Sequence, residues 1–189
     1  MDNIAPAARP PVPGPACERA RILAPEVTVS DFEFRDAMSK FTTAVSVIAT
    51  DGVAGLAGLT CSAVCSVSDS PATLAVCIHG GSSANSILKA NRVLSVNCLH
   101  TEQRELSQAF AGVGKLSVAE RFAMANWEVL TTGAPCCKDA LVVLDCSIVD
   151  VRDVGTHSVF IVTVMATAKS QNRQPLVYRQ RNYATTCSL

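Results

Sequence analysis

The stretch that decides the fold reads GLTCSAVCSVSDSPATLAVCI and spans residues 58–78. Residues 59–68 alternate with a period of two, which predicts a β-strand. Asp69-Ser70-Pro71 has the chemistry of a turn, because proline is excluded from the middle of a central strand. The apolar run of residues 72–78 predicts a returning strand, and Gly80-Gly81 ends it. The whole stretch is therefore a predicted β-hairpin.

One face of the first predicted strand carries small hydroxyl side chains instead of bulky apolar ones. They are Thr60, Ser62, Ser66 and Ser68, interrupted by Val64. Such a face leaves space and offers hydrogen-bond donors and acceptors to a flat polar group. A strand with one solvated face explains the same alternation. The pattern alone leaves both interpretations open.

The composition predicts one globular domain with an ordinary core. The chain has 189 residues, of which 49% are hydrophobic and 17% charged. Lys+Arg and Asp+Glu both number 16, so the basic surface of a nucleic-acid binder is not expected. No apolar run approaches the length of a membrane span, and no secretory signal is visible. A cytoplasmic location is therefore expected.

The nine cysteines contain no Cys-x-x-Cys pair. Most of them stand among apolar residues, where a free cysteine behaves as a small hydrophobic side chain. Free thiols in a reducing cytosol are therefore favoured over disulfides or zinc. A cysteine-based redox or metal-binding protein remains an alternative, which thiol counting and metal analysis would test.

The N-terminal segment differs in composition from the rest of the chain. Residues 1–27 are rich in proline and alanine and predict a flexible arm, whereas residues 28–189 form the single predicted domain. Ser30 and Glu33 have the spacing of a capping box, so a helix begins there. Apolar residues at helical spacing predict that this helix packs on the sheet; they are Phe34, Ala37, Met38 and Phe41.

Further strands follow at hairpin spacing, in residues 43–50, 92–99, 141–151 and 157–168. Because the strands do not alternate regularly with helices, an antiparallel barrel with peripheral helices is expected. Residues 82–86 predict a helix N-terminus, where free N–H groups can meet an anion, although a plain N-cap explains the same residues. His157 follows a tight turn at the mouth of a barrel strand, where ligand sites tend to lie, although a solvent-facing or turn-bonded histidine is the more common explanation.

Short motifs along the chain carry a resemblance to a known family, from Phe34 to Tyr183. They are Phe34-Arg-Asp-Ala-Met38, Thr43-Ala-Val-Ser-Val-Ile-Ala-Thr-Asp51, Ser62-Ala-Val-Cys-Ser-Val67, Pro71-x-x-Leu74, Val76-Cys77, Phe110-Ala-Gly112, Glu120-Arg-Phe122, Trp127 and Gly155-Thr-His157. With these motifs in order, the chain resembles the small flavin reductase components of two-component flavin-dependent monooxygenases. The N-terminal arm lies outside the resemblance.

The resemblance implies a mainly β fold, the antiparallel Greek-key split barrel of flavin reductases, which is usually a homodimer with flavin near the subunit interface. It implies hydride transfer from NADH to FAD or FMN, with FAD favoured. Reduced flavin would then diffuse to a separate aromatic-compound monooxygenase. A flavin-binding split barrel without reductase activity is the alternative, which flavin retained through dialysis without NADH oxidation would support.

The resemblance also implies site residues. The isoalloxazine would lie along Thr60, Cys61, Ser62, Ala63, Val64, Ser66 and Val67, flanked by Thr43, Ser46 and Val47. Ser82, Ser83 and Asn85 would meet the phosphate. Phe110 and Gly112 would border the ribityl or adenine side, and Tyr178 and Arg181 would approach the dinucleotide. His157 would orient the nicotinamide without acting as an acid or base. No metal site is implied.

Overall fold

The computed structural model describes residues 29–170 and 173–187, so the predicted arm of residues 1–27 lies outside the described residues. Its helices are α1 Asp31–Ser39, α2 Ser83–Asn91, α3 Arg104–Phe110 and α4 Val118–Phe122. Its strands are β1 Thr43–Ala44, β2 Ser46–Thr50, β3 Ala57–Cys61, β4 Val64–Asp69, β5 Ala72–His79, β6 Val93–Cys98, β7 Trp127–Val129, β8 Pro135–Cys137, β9 Val142–Val154, β10 His157–Lys169, β11 Val177–Arg179 and β12 Asn182–Ala184. Among these described helices, none is both long and apolar enough to cross a membrane.

The largest sheet has seven strands in the order β3-β2-β6-β9-β10-β5-β4, and every neighbouring pair is antiparallel. β3 and β4 are consecutive in the chain but lie at opposite ends of this order. Only Ser62 and Ala63 separate them, so the sheet must curl until its two edges meet. At this seam the Cys77 N–H donates to the Ala63 carbonyl at 3.0 Å. The predicted antiparallel split barrel is confirmed.

Two strand predictions were wrong at corners of the barrel. The predicted strand of residues 59–68 is two strands, because the chain leaves one edge of the sheet after Cys61 and joins the other at Val64. The predicted strand of residues 43–50 also breaks, at Val45. Its N–H donates to the Leu176 carbonyl, and its carbonyl accepts from the Leu99 N–H. The residue pattern shows no interruption at either corner. It therefore does not reveal that the strand segments before and after the corner pair with different neighbouring strands.

Apolar clusters cover both faces of the seven-stranded sheet at β2. The interior of the barrel holds one apolar cluster, which includes Ile48, Val76, Ile78 and Phe160, and Leu88 of α2 packs into it. The outer face near α3 and α4 holds a second cluster, which includes Val47, Leu106, Phe110 and Phe122. Because both clusters hold β2 between them, the residues that follow it along β3 are rigidly placed.

Helix α1 begins as predicted but does not pack as predicted. Ser30 and Glu33 form the capping box. No residue of α1 is buried, however, and Phe34, Met38 and Phe41 are 60%, 45% and 62% exposed. The helix is tethered at its end, where the Gln180 N–H donates to the Ser39 carbonyl at 2.6 Å. The apolar residues Phe34, Met38 and Phe41 are therefore left largely uncovered by the rest of the chain.

We expect that Gly58→Ala destabilises the fold by about 1–3 kcal/mol, the usual cost of overpacking a core. A Cβ at Gly58 would stand 2.7 Å from Phe110 Cε1 and 3.0 Å from the Ile48 carbonyl oxygen, and the backbone of β2 cannot move aside. Urea unfolding measures the change. Gly80→Ala is the control, because its Cβ would meet only the Thr156 carbonyl oxygen at 3.5 Å. Equal stability of both variants would contradict the close packing of Phe110 on β3.

Candidate functional site

The corner between β3 and β4 opens onto a groove. Ser62 is exposed there and lines three cavities, of about 450, 340 and 330 Å³. We call these cavities together the Ser62 groove. Eight of the predicted site residues line it; they are Thr43, Ser46, Thr60, Ser62, Ala63, Val64, Tyr178 and Arg181. Residues from β1 to the C-terminal hairpin, far apart in the chain, thus meet around one corner.

The floor of the groove at the corner is small and polar. Ser62 and Ala63 are both exposed, and the Ser62 hydroxyl makes no hydrogen bond within the described part of the chain. The Thr60 hydroxyl, in contrast, donates to the Ser107 carbonyl at 2.6 Å and so holds α3 against β3. The floor therefore offers a flat surface with one available hydroxyl, which fits a planar, partly polar ring.

Several walls of the groove were not predicted. Helix α1 contributes Arg35 and Met38 to the cavity that contains Ala63, and Phe41, two residues past the end of the helix, lines the same cavity. Arg104 and Gln108 of α3 line the largest cavity together with Asn182 and Tyr183. Arg104 and Gln108 are four residues apart, while Leu106, Ala109 and Phe110 of the same helix are buried. This amphipathic spacing predicts that Arg104 and Gln108 lie on the solvent-exposed face of α3. It is the sequence signal by which both residues could have been found.

Three of the predicted cofactor residues have side chains in the core instead of in the groove. Val47 is 0% exposed and belongs to the outer cluster. Cys61 is buried in the barrel interior, and Phe110 packs edge-on against Phe122 with ring centroids 5.1 Å apart. These three side chains pack behind the groove and stabilise the strands that form it. They do not reach the groove themselves.

Three more predicted residues lie beyond the cavities. Ser66 and Val67 are exposed on β4, next to a register shift between Ser66 and Ser68. Gly112 follows α3 with φ 92°, and it too is exposed. None of the three lines the Ser62 groove.

The predicted phosphate residues lie at the start of α2, outside the Ser62 groove. Ser82 is the N-cap, and its side chain makes no capping hydrogen bond. Asn85 is only 3% exposed, and its amide donates to Ser158 Oγ at 3.1 Å and to the Ile78 carbonyl at 3.3 Å. The Asn85 side chain is thus used inside the fold, whereas Ser83 is exposed.

His157 is exposed at the beginning of β10, directly opposite His79 of β5. The two imidazole rings meet edge to face with centroids 5.2 Å apart, and the Thr156 hydroxyl lies 2.9 Å from His157 Nδ1. His79 follows Cys77 by two residues, about 7 Å along the strand, and Cys77 bonds to Ala63. His157 therefore lies at the same end of β5 as the corner of the groove.

The electrostatics of this region favour binding over proton transfer. Burial raises the pKa of the Cys61 thiol to about 11 and also raises the pKa of Cys77. Both thiols are therefore protonated at neutral pH. A hydrogen bond from Lys89, at 2.8 Å, and one from Ser158 lower the pKa of Asp153 near His157. Among the described residues, no carboxylate or imidazole lines the cavities of the Ser62 groove.

Metal-ligating side chains do not cluster in residues 29–170 and 173–187, where no group of three or more His, Cys, Asp or Glu side chains lies together. The Ser62 groove has a flat floor at Ser62 and Ala63, and it has hydroxyl and guanidinium donors in its walls. It can therefore hold a planar cofactor and a phosphate. Its described lining holds no carboxylate or imidazole side chain that could act as a general acid or base.

The chain is similar to known proteins over most of its length. Residues 38–186 match the model of the flavin reductase like domain. The FMN reductase (NADH) RutF 2 of Rhizobium rhizogenes is 47% identical over 151 residues, which are 80% of this chain and 86% of that protein. The structure of the flavin reductase PheA2 has a TM-score of 0.76 and 31% identity, with 85% of this chain and 100% of that one covered. Nitrilotriacetate monooxygenase component B from Mycobacterium thermoresistibile has a TM-score of 0.74 and 26% identity, with 81% and 84% covered.

Proposed function

Because the chain belongs to the flavin reductase like domain family, we propose that it is an NADH-dependent FMN reductase that binds flavin in the Ser62 groove. The observation that carries the proposal is the exposed corner of Ser62 and Ala63, which a flat ring can cover. The relative at 47% identity is named an FMN reductase (NADH). This name supports NADH as the reductant and FMN as the flavin. The family resemblance by itself favours FAD.

When bound, the flavin supplies the hydride acceptor, and NADH supplies the hydride. The protein then has to align two rings and keep them in contact, because hydride transfer needs no acid or base at the reacting carbon. The Ser62 hydroxyl and the backbone groups of the corner would bind the polar edge of the flavin ring. His157, which lies at the same end of β5, would orient the nicotinamide.

An assay of NADH and NADPH oxidation with FMN, FAD and riboflavin tests the proposed activity. We expect NADH with FMN to give the highest kcat/KM of the six combinations. Protein that retains flavin through dialysis and oxidises neither NADH nor NADPH would overturn the activity and favour a flavin-binding protein without reductase activity.

We also propose that the reduced flavin leaves for a separate monooxygenase component. The name of the Mycobacterium thermoresistibile neighbour, component B of a monooxygenase, supports this role. The groove is open at several cavities around Ser62, so a ligand can exit without unfolding an element. Anaerobic reduction followed by ultrafiltration tests the proposal, because the reduced FMN should pass into the filtrate. Reduced FMN retained with the protein would contradict it.

We further propose a homodimer that uses α1. Phe34, Met38 and Phe41 are exposed in the single chain, and large apolar side chains that a chain leaves exposed together are typical of protein interfaces. Met38 and Phe41 also line the cavity that contains Ala63. A second copy seated on α1 would therefore cover part of the groove.

His157→Ala should raise the KM for NADH about tenfold and lower the saturated rate of flavin reduction much less. The reason is that an orienting contact worth about 1.4 kcal/mol is lost from binding, whereas no proton transfer is removed. Stopped-flow reduction at saturating NADH separates the two effects. Thr156→Val removes only the hydroxyl beside His157 Nδ1 and should have a smaller effect in the same direction. A collapse of the saturated rate with normal NADH binding would show that His157 acts in the chemical step.

A further inference from the structure

The largest cavity of the Ser62 groove contains two arginines, Arg104 of α3 and Arg181 of the turn between β11 and β12. Both are exposed. Among residues 29–170 and 173–187, neither guanidinium forms an ion pair or a hydrogen bond. Within the same described ranges, no carboxylate lines this cavity. Two positive charges at one cavity without an acidic partner favour an anionic ligand.

Aromatic side chains stand beside the two arginines. Tyr183 and Tyr178 pack edge to face with centroids 5.3 Å apart, and the Arg104 guanidinium lies over the Tyr183 ring at 5.5 Å. The Tyr183 hydroxyl is fixed by Ser107 Oγ at 2.9 Å. Guanidinium groups next to a fixed aromatic ring can bind a phosphate and stack a base at the same time.

The turn that carries Arg181 is held in a costly conformation. Gln180 and Arg181 have φ of 50° and 62°, whereas two-residue turns of this kind favour Asn-Gly. The conformation is held from outside the hairpin, because the Gln180 N–H donates to the Ser39 carbonyl. Glycine at position 181 would relieve the backbone but remove the guanidinium.

We propose that Arg104 and Arg181 form a phosphate subsite for a nucleotide, whose aromatic base or ring lies against Tyr183. The proposal rests on the proposed function, which brings two such ligands to the groove. One source of the phosphate is FMN, and the other is the pyrophosphate of NADH. The resemblance implies that Arg181 approaches the dinucleotide, but it does not include Arg104 and it puts the flavin phosphate at the start of α2 instead.

Binding titrations of Arg104→Ala and Arg181→Gly test the subsite. Quenching of flavin fluorescence gives the affinities for FMN and riboflavin, and calorimetry gives the affinity for ADP-ribose. Each substitution should weaken one phosphorylated ligand about tenfold or more, the effect of losing a charged hydrogen bond. Weaker FMN binding with unchanged riboflavin binding assigns the flavin phosphate, and weaker ADP-ribose binding assigns the NADH pyrophosphate. Affinities within twofold of wild type for all three ligands would overturn the subsite.

Two control variants separate the guanidinium from the backbone. Arg92 has φ 63° and donates to the Val149 carbonyl away from the groove, so Arg92→Gly makes the same chemical change elsewhere and should leave all three affinities unchanged. Gln180→Gly relieves the neighbouring strain but keeps Arg181, and it should also bind normally. A loss of affinity in Gln180→Gly equal to that in Arg181→Gly would attribute the effect to the turn and overturn the role of the guanidinium.

The proposal of the subsite and the proposal of the reductase activity can be contradicted independently, because the binding titrations involve no turnover. Wild-type protein that binds FMN or ADP-ribose through the two arginines but does not oxidise NADH would keep the subsite and overturn the proposed function. Protein that reduces FMN with NADH but binds all three ligands equally well in both arginine variants would overturn the subsite alone.

Discussion

Leucine in place of Ala63 should weaken FMN binding about 30-fold while the protein stays folded. The Ala63 carbonyl accepts from the Cys77 N–H at 3.0 Å, so the chain cannot retreat from the groove. Ala63 is exposed and lines a cavity with Ser62 and Phe41, so the larger side chain must enter the space proposed for the ring. Overpacking a fitted site costs about 2 kcal/mol, which corresponds to the expected loss of affinity.

A matched variant is available at the other end of β5. Ala72 is exposed there, opposite Asp69 of β4, so Ala72→Leu adds the same bulk to the barrel away from the groove. Its FMN affinity and its melting temperature should equal those of the wild type. If Ala63→Leu has a normal melting temperature and also binds FMN normally, the ring does not lie on the corner between β3 and β4.

The alternation of residues 59–68 identified the correct surface but not the break within it. Both β3 and β4 are present, and the small residues between them do form the floor of the groove. The break at Ser62 was not predictable from a period of two, because the alternation says nothing about which edge of the sheet a strand joins. The long hairpin of β9 and β10 was easier to predict, since its pairing is local in sequence.

Two further features were not predictable from the sequence: the packing of α1 and the lining of the largest cavity of the Ser62 groove. The capping box located the start of α1, but helical spacing cannot tell whether an apolar stripe packs on its own sheet or on another chain. Arg104 and Arg181 are 77 positions apart and come together only through the pairing of β1 with β11 and the packing of α3 on β3. Residues of such a pocket share no local pattern, so only the tertiary structure reveals them.

Glutamates at Phe34 and Phe41 together should convert the proposed dimer to a monomer and weaken FMN binding about tenfold or more. Two buried charges without partners cost an interface several kcal/mol. Both phenylalanines are more than half exposed in the single chain, so the variant loses no core packing and should keep its fold. The flavin should be affected as well, because Phe41 lines the same cavity as Ser62 and Ala63. Sedimentation velocity and flavin titration measure the two effects.

Val53→Glu provides the control for this change. Val53 is 93% exposed in the turn between β2 and β3, so the same class of substitution there should alter neither the oligomeric state nor the affinity. A double variant that sediments like the wild type would contradict the role of α1 in association. A monomeric variant that binds FMN with full affinity would show that one chain completes the groove alone. Loss of both properties together would tie flavin binding to the apolar stripe of Phe34, Met38 and Phe41 beside the corner of Ser62.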